Sequence, residues 1–247
     1  MPSSSPRVLL ISNSGRAYLE HCRGALGDFF GAGVRRVGFI SAATLADPEH
    51  YYLRAKDGLQ SLGVEVEHVH WERQPLKTLA RVDALFVGGG NTYALLDRVR
   101  AAGLIEPIRE RAREGMPYAG ASAGANLAGP TILTTNDWNI VALSHFGALH
   151  LVPFNINPHY KDADPAMARG SETRDDRIRE YHVRNKNAVV GIEEETMVRM
   201  VDGVATALGQ RRVKVFRVGK EPQWYGAGEQ LPLEMGGHMT QDPQTPS

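Results

Sequence analysis

Apolar residues along this chain fall into short continuous runs that alternate with stretches where they recur every three or four positions. Residues 7–12 (RVLLIS) are such a run, and it stops at polar Asn13-Ser14-Gly15, the pattern of a buried strand ending in a loop. Leu19, Cys22, Leu26 and Phe29/Phe30 then keep helical spacing within 17–31. A second strand is predicted over 34–41, a helix over 47–62 capped by Gly63, and a third strand over 64–70 through Val64, Val66 and Val69. Residues 82–87 (VDALFV) read as a fourth strand that runs into Gly88-Gly89-Gly90-Asn91. Beyond it Leu95, Leu96, Val99 and Leu104 return to helical spacing, a further helix spans 106–114 and ends at Gly115, and 117–121 forms a fifth strand leading into Ser122. Strand and helix alternate throughout this half, as in a parallel sheet covered on both faces.

The second half is patterned differently. Residues 132–135, 140–143 and 149–156 are short β-like pieces, followed by a charged helix over 172–184. Residues 188–193, 196–200, 205–208 and 213–218 then read as a run of antiparallel strands, with Asp202-Gly203 as one turn. The expected fold class is therefore α/β: a mostly parallel central sheet with helices on both faces and extra antiparallel strands in the C-terminal half. The chain has 247 residues, enough for one sizeable core, and it shows no internal repeat or dividing linker. After 230 it becomes rich in Gly, Pro, Gln and Thr, so a single domain over 1–229 and a flexible tail over 230–247 are expected.

Composition narrows the classes of function. Hydrophobic residues make up 42% and charged residues 23%, ordinary for a soluble globular protein. Lys+Arg and Asp+Glu both number 28, so bulk electrostatics favours neither a nucleic-acid nor a membrane partner. The single cysteine, Cys22, excludes an internal disulfide, fits no zinc pattern and reads as a buried structural residue. The N-terminal residues lack the apolar core of a signal peptide, and the run over 8–11 is too short to span a bilayer, so a cytoplasmic location is expected.

The strongest chemical signal is Gly120-Ala121-Ser122-Ala123-Gly124, a G-x-S-x-G pattern between a strand and a helix-competent segment. A serine on so sharp a turn needs small neighbours, and both intervening residues are alanine. The turn would expose the hydroxyl at the carboxyl end of a sheet and aim the Ala123 N–H at a developing oxyanion. Alone, the pattern also fits a tight turn with a surface serine. The second signal is Gly88-Gly89-Gly90-Asn91-Thr92, which fits a phosphate loop, an oxyanion-hole loop or a plain tight turn. As a dinucleotide motif it lacks the third glycine (Tyr93 stands there), and as a phosphate loop it lacks G-K-[ST].

A nucleophilic serine needs a base, and His159, on the Pro158-stiffened segment NINPHY, has the most suggestive setting of the nine histidines. His68 and His70 share one face of a predicted strand, but with no acidic or cysteine partner completing a metal-ligand pattern they make a poor metal site. The base in turn needs an acid to fix its tautomer. Asp137 and Glu194 are both candidates, and spacing does not choose between them.

Taken together, LLISNS, VGGGNT, GASAGANLAGPTI, TTND, VPFNINPHY and SETRDDRIREYH, in this order, resemble the peptidase E family over residues 9–208. That family consists of serine dipeptidases that release an N-terminal aspartate from Asp-X dipeptides. The resemblance implies Ser122 as nucleophile and His159 as general base. It puts Asp137 at the charge-relay aspartate and Glu194 at a glutamate considered for the same role. It also implies Gly90 and Ala123 as oxyanion donors and Arg174 as the residue that grips the substrate aspartate, a task suited to a guanidinium fork. It implies no metal or cofactor, a small Asp-X peptide as partner, and a monomer or homodimer. The implied fold is related to the class I glutamine amidotransferases, with serine in place of their cysteine. The chain departs from the pattern at Trp138-Asn139, where a Met-Pro-like pair is expected, and at Glu193-Glu194-Glu195, where a glycine-containing stretch is expected; Glu193 and Glu195 therefore stand as neighbouring alternatives for the acid. Rival readings are a cyanophycinase-like hydrolase of β-aspartyl peptides, a non-catalytic binding protein on the same scaffold, and a nucleotide-binding module built on the GGGN loop.

Overall fold

The computed structural model describes residues 5–162 and 172–233. The first half alternates strand and helix. β1 (Val8–Ile11) is followed by a 3-10 turn (Glu20–Cys22) and α1 (Arg23–Phe30), then β2 (Arg36–Ile40), α2 (Pro48–Gln60), β3 (Glu65–His68), α3 (Pro75–Arg81) and β4 (Ala84–Val87). α4 (Thr92–Ala101) and α5 (Ile105–Arg113) lead to β5 (Tyr118–Ala121) and the short α6 (Ala123–Leu127). The second half holds β6 (Asn155–Tyr160), α7 (Arg174–Arg184), β7 (Val189–Glu193), β8 (Thr196–Val201), β9 (Val204–Gly209), β10 (Val213–Arg217), β11 (Lys220–Tyr225) and β12 (Gln230–Leu231).

These strands form an eight-stranded sheet of order β12-β9-β8-β1-β5-β4-β2-β3 and a four-stranded sheet of order β11-β10-β7-β6. β1, β5, β4, β2 and β3 are mutually parallel, whereas β8, β9 and β12 extend the large sheet antiparallel from β1. β1, β5, β4 and β2 are buried on both faces and read as continuous apolar runs, whereas β3, at the sheet edge, alternates. Alternate residues still face opposite sides. Leu9, Ile11, Phe39 and Phe86 pack toward α1 and α2, and Val8, Leu10, Leu85 and Val87 pack toward α4, α5 and α6.

Several expectations are corrected. The first helix begins at Arg23, because Leu19 takes a left-handed φ of 61° and breaks the turn before it. α3, seven residues long with Pro75 opening it, is too short to show a period in the sequence. Residues 132–135 and 140–143 form no strand, and β6 begins only at Asn155. Of the intervening apolar residues, Ile132, Leu149, Val152 and Phe154 are buried by wrapping over α6, with Leu149 N–H donating to Leu127 O and Leu151 N–H to Ala128 O, whereas Leu133, Trp138, Ile140 and Val141 stay exposed. The C-terminal strands do not make one antiparallel run. β7 and β10 join the small sheet, where β6 pairs with β7 parallel, and β8 and β9 join the large one. The sheet also runs past 229, since Gln230–Leu231 pairs with β9 and Leu231 is buried. The remainder of the expected tail, 234–247, lies outside the described residues.

Candidate active site

β5 delivers Ser122 to the carboxyl end of the sheet, where its N–H donates to Ile11 O at 2.9 Å. The serine has φ 53° and ψ −109°, a strained pair for a residue with a side chain, costing roughly 1–3 kcal/mol. The neighbouring glycines make the turn possible. A Cβ on Gly120 would come 2.3 Å from Gly124 O, and one on Gly124 would come 2.2 Å from Val87 O. The Gly88-Gly89-Gly90 loop lies against this elbow, for a Cβ on Gly89 would approach Ser122 Cβ to 3.0 Å. Gly90 has φ 137° and no room for a Cβ beside Ala43 O. In that loop Gly88 N–H donates to Ile40 O, Gly89 N–H to the Tyr51 hydroxyl and Asn91 N–H to Ala43 O. The N–H groups of Gly90 and Ala123 have no acceptor among the described residues.

His159 comes from the other sheet. The β6–β7 ladder shifts register between Pro158 and Tyr160, so His159 bulges out of it with φ 53°. Its N–H donates to Ser12 Oγ at 2.9 Å, and Ser12 Oγ in turn donates to Ile192 O at 2.9 Å. The buried Ser12 hydroxyl thus ties the end of β1 to the bulge and to β7. So held, His159 Nε2 lies 2.7 Å from Ser122 Oγ, and Nδ1 lies 2.7 Å from Glu194 Oε1. Glu194 sits in the turn where β7 leaves the small sheet and β8 enters the large one. That turn is fixed by Glu195, at φ 58°, whose N–H donates to Asn13 Oδ1. A carboxylate at Nδ1 keeps the proton on that nitrogen and leaves Nε2 free to accept the serine proton.

Asp137 is placed elsewhere. Its Oδ2 accepts the Thr92 N–H at 2.8 Å, the Thr92 hydroxyl at 2.6 Å and the Thr135 hydroxyl at 3.1 Å, and it makes no contact with His159 among these bonds. A carboxylate at the first turn of α4 favourably meets the positive end of the helix. With Asn91 Nδ2 donating to Trp138 O, it docks the glycine loop onto residues 134–138. Glu193 and Glu195 do not contact His159 either; Glu193 accepts the Arg212 N–H instead.

Arg174 opens α7, capped by a Thr173–Asp176 capping box. Its guanidinium bonds Asn136 Oδ1, and Asn136 Nδ2 donates to Pro158 O at 2.9 Å, one residue before His159. Asn157 Nδ2 also holds Asn136 Oδ1, at 2.8 Å. Burial, and then Arg177, lowers the Arg174 pKa from its ordinary value. Arg174, Asn136, Asn157, Ile178 and Tyr181 line a cavity of about 380 Å³. Ser12, Asn13, Tyr51, Asn136 and Asn157 are the contributors that pattern reading missed. Only Asn136 and Asn157 carried a signal, as polar residues inside otherwise apolar or catalytic segments. His68 Nε2 bonds Ser41 Oγ at 2.8 Å with Glu49 3.4 Å from its Nδ1, and no group of three or more His, Cys, Asp or Glu suited to a metal occurs among the described residues.

Comparison with known proteins gives the family and the fold. The model of peptidase family S51 matches residues 8–208. Peptidase E of Streptomyces coelicolor is 42% identical over 227 residues, covering 91% of this chain and 93% of that protein. A probable alpha-aspartyl dipeptidase of Drosophila melanogaster is 42% identical over 220 residues, covering 87% and 91%. Among solved structures, a putative peptidase E from Listeria monocytogenes EGD-e superposes with a TM-score of 0.66 at 25% identity, covering 83% of this chain and 99% of the other. A peptidase from an acI-B1 actinobacterium shares the fold, with a TM-score of 0.70 at 15% identity, covering 93% and 97%.

Proposed function

The chain belongs to peptidase family S51, and from that premise we propose that it is a serine dipeptidase that hydrolyses Asp-X dipeptides through an acyl-enzyme on Ser122. The observation that carries this reading is the unbroken relay from Ser122 through His159 to Glu194, with both contacts at 2.7 Å. Ser122 Oγ attacks the peptide carbonyl carbon while its proton passes to His159 Nε2. Glu194 stabilises the resulting imidazolium and is the third member of the triad. The tetrahedral oxyanion accepts the N–H groups of Gly90 and Ala123, each donor worth on the order of 10²–10³ in rate. His159 then protonates the leaving amine of residue X, leaving an aspartyl ester on Ser122. A water, deprotonated by His159, attacks that ester, and aspartate leaves as the proton returns to Ser122.

Asp137 fastens the glycine loop through Thr92, so its effect on the reaction is indirect. Arg174 receives the side-chain carboxylate of the substrate aspartate. Its tie through Asn136 to Pro158 O keeps the guanidinium in register with His159. Neither metal nor cofactor has a part in these steps. We assign the cytoplasm as the location. The lone cysteine, Cys22, leaves the chain without an internal disulfide, which suits a reducing compartment. No helix among the described residues is long and apolar enough to cross a membrane.

The test is a panel of Asp-Leu, Glu-Leu, Leu-Leu and β-Asp-Arg with the purified protein. Cleavage of Asp-Leu well above the other three supports the reading. Cleavage of β-Asp-Arg without cleavage of Asp-Leu would replace it with the cyanophycinase-like one.

A further inference from the structure

Lys214, on β10, is only 7% exposed, and its ammonium is fully partnered. Nζ lies 2.9 Å from Asp175 Oδ2, 3.0 Å from Asp162 Oδ1 and 3.1 Å from the Tyr160 hydroxyl, three acceptors for its three N–H bonds. The rings of Trp224, Phe216 and Tyr160 stand around it with centroids at 5.0, 5.4 and 5.5 Å, replacing water with aromatic faces. The Tyr160 hydroxyl also bonds Asp175 Oδ1. Burial first, and then Asp175, pushes the tyrosine pKa up, so the group stays protonated and remains a donor.

The places this cluster joins are specific. Tyr160 directly follows His159, and Asp175 directly follows Arg174. The Tyr160 ring also packs on β7, where a Cβ on Gly191 would come 2.7 Å from its Cδ2. A single ammonium therefore ties the bulge that presents the imidazole to the first turn of the helix that presents the guanidinium. Desolvating the ammonium and the Asp175 carboxylate, with Asp162 half exposed at the rim, is a costly way to stabilise a core, and such an ionic cluster is better suited to holding elements in one register.

We propose that Lys214, acting with Asp175 and Tyr160, is a positioning residue that sets the separation between Arg174 and His159. Binding of the substrate carboxylate at Arg174 then places the scissile carbonyl on Ser122. The inference rests on the function proposed above.

The experiment compares kcat/KM for Asp-Leu and Asn-Leu in the wild-type chain and in Lys214→Met, whose folding is followed by circular dichroism. A misplaced guanidinium weakens discrimination between carboxylate and amide, so the Asp-Leu to Asn-Leu ratio should fall about tenfold or more, with kcat for Asp-Leu falling as well. A lysine that only stabilised the fold would lower the active fraction equally for both substrates. An unchanged ratio therefore overturns the proposal. If Lys214→Met does not fold, Tyr160→Phe carries the test, because it keeps the ring on Gly191 and removes one hydroxyl. There the ratio should drop about threefold, the worth of a single hydrogen bond, and a wild-type ratio overturns the proposal. A wild-type enzyme with no preference for Asp-Leu over Asn-Leu overturns the aspartate selectivity proposed above for Arg174, and this inference with it.

Discussion

Replacing Glu194 by Gln removes one negative charge from behind the His159 ring and leaves the size and shape of the side chain nearly unchanged. The amide oxygen still accepts the Nδ1 proton, so the tautomer survives and only the stabilisation of the imidazolium is lost. At a charge separation of about 4 Å and an effective dielectric constant of about 20, that attraction is worth ~4 kcal/mol. His159 and Glu194 are 40% and 44% exposed, so solvent and salt screen it substantially. Halving it leaves ~2 kcal/mol, or about 30-fold in kcat. The assay is leucine release from saturating Asp-Leu, with kcat and KM determined separately; KM should stay near the wild-type value, because Glu194 faces the base and not the substrate. Asp137→Asn is the matched control. It should lower Tm by loosening the Thr92 bonds at 2.6 and 2.8 Å, and it should reduce kcat less than Glu194→Gln does. A larger kcat loss in Asp137→Asn than in Glu194→Gln would refute the assignment of the acid.

Two further outcomes follow from the geometry. Gly124→Ala puts a methyl 2.2 Å from Val87 O, a backbone atom that cannot swing aside, so it should cost about 2–3 kcal/mol of stability and most of the activity; a variant that melts like the wild type would show that the elbow has more room than this. Burial lowers the His68 pKa from 6.5 to about 4. Between those values the unfolded chain binds a proton that the folded chain does not, so the stability from a neutral His68 is complete above pH 6.5 and lost as pH falls toward 4. Tm should therefore drop from pH 7 to 4.5, and the drop should be smaller in His68→Gln; equal slopes in the two proteins would contradict this.

The parallel half of the fold was legible because all its strands but the alternating edge strand β3 are continuous apolar runs closed by glycine or a polar turn, and the elbow because small residues flank Ser122 on both sides. The segment 132–156 misled because burial and strand pairing leave the same apolar signal. Ile132, Leu149, Leu151, Val152 and Phe154 are buried while the backbone of 149–152 bonds the end of α6, and Ile140 and Val141 are apolar residues left exposed. The acid could not be chosen from spacing. Asp137 and Glu194 both stand at the ends of apolar pieces, and only the parallel pairing of β6 with β7 brings the His159 bulge beside the Glu194 turn. Ser12 and Tyr51 gave no signal at all, since a serine ending a strand and a tyrosine in a helix are commonplace. Lys214 was hidden for a related reason: in the alternating pattern of β10 it occupies a position that ordinarily faces water, and its carboxylate partners come from the residues just after β6 and from α7, distant in sequence.

The most direct test of the account is the rate of Asp-Leu hydrolysis by Ser122→Ala beside the wild-type protein, with circular dichroism and melting curves showing both to be folded. Ser122 is the proposed nucleophile, and Ala relieves none of the contacts that shape the elbow, so a folded variant with hydrolysis reduced by at least about 10³-fold is predicted. Hydrolysis near the wild-type rate in a folded Ser122→Ala protein would contradict the mechanism and leave the Ser122–His159–Glu194 relay without its proposed role.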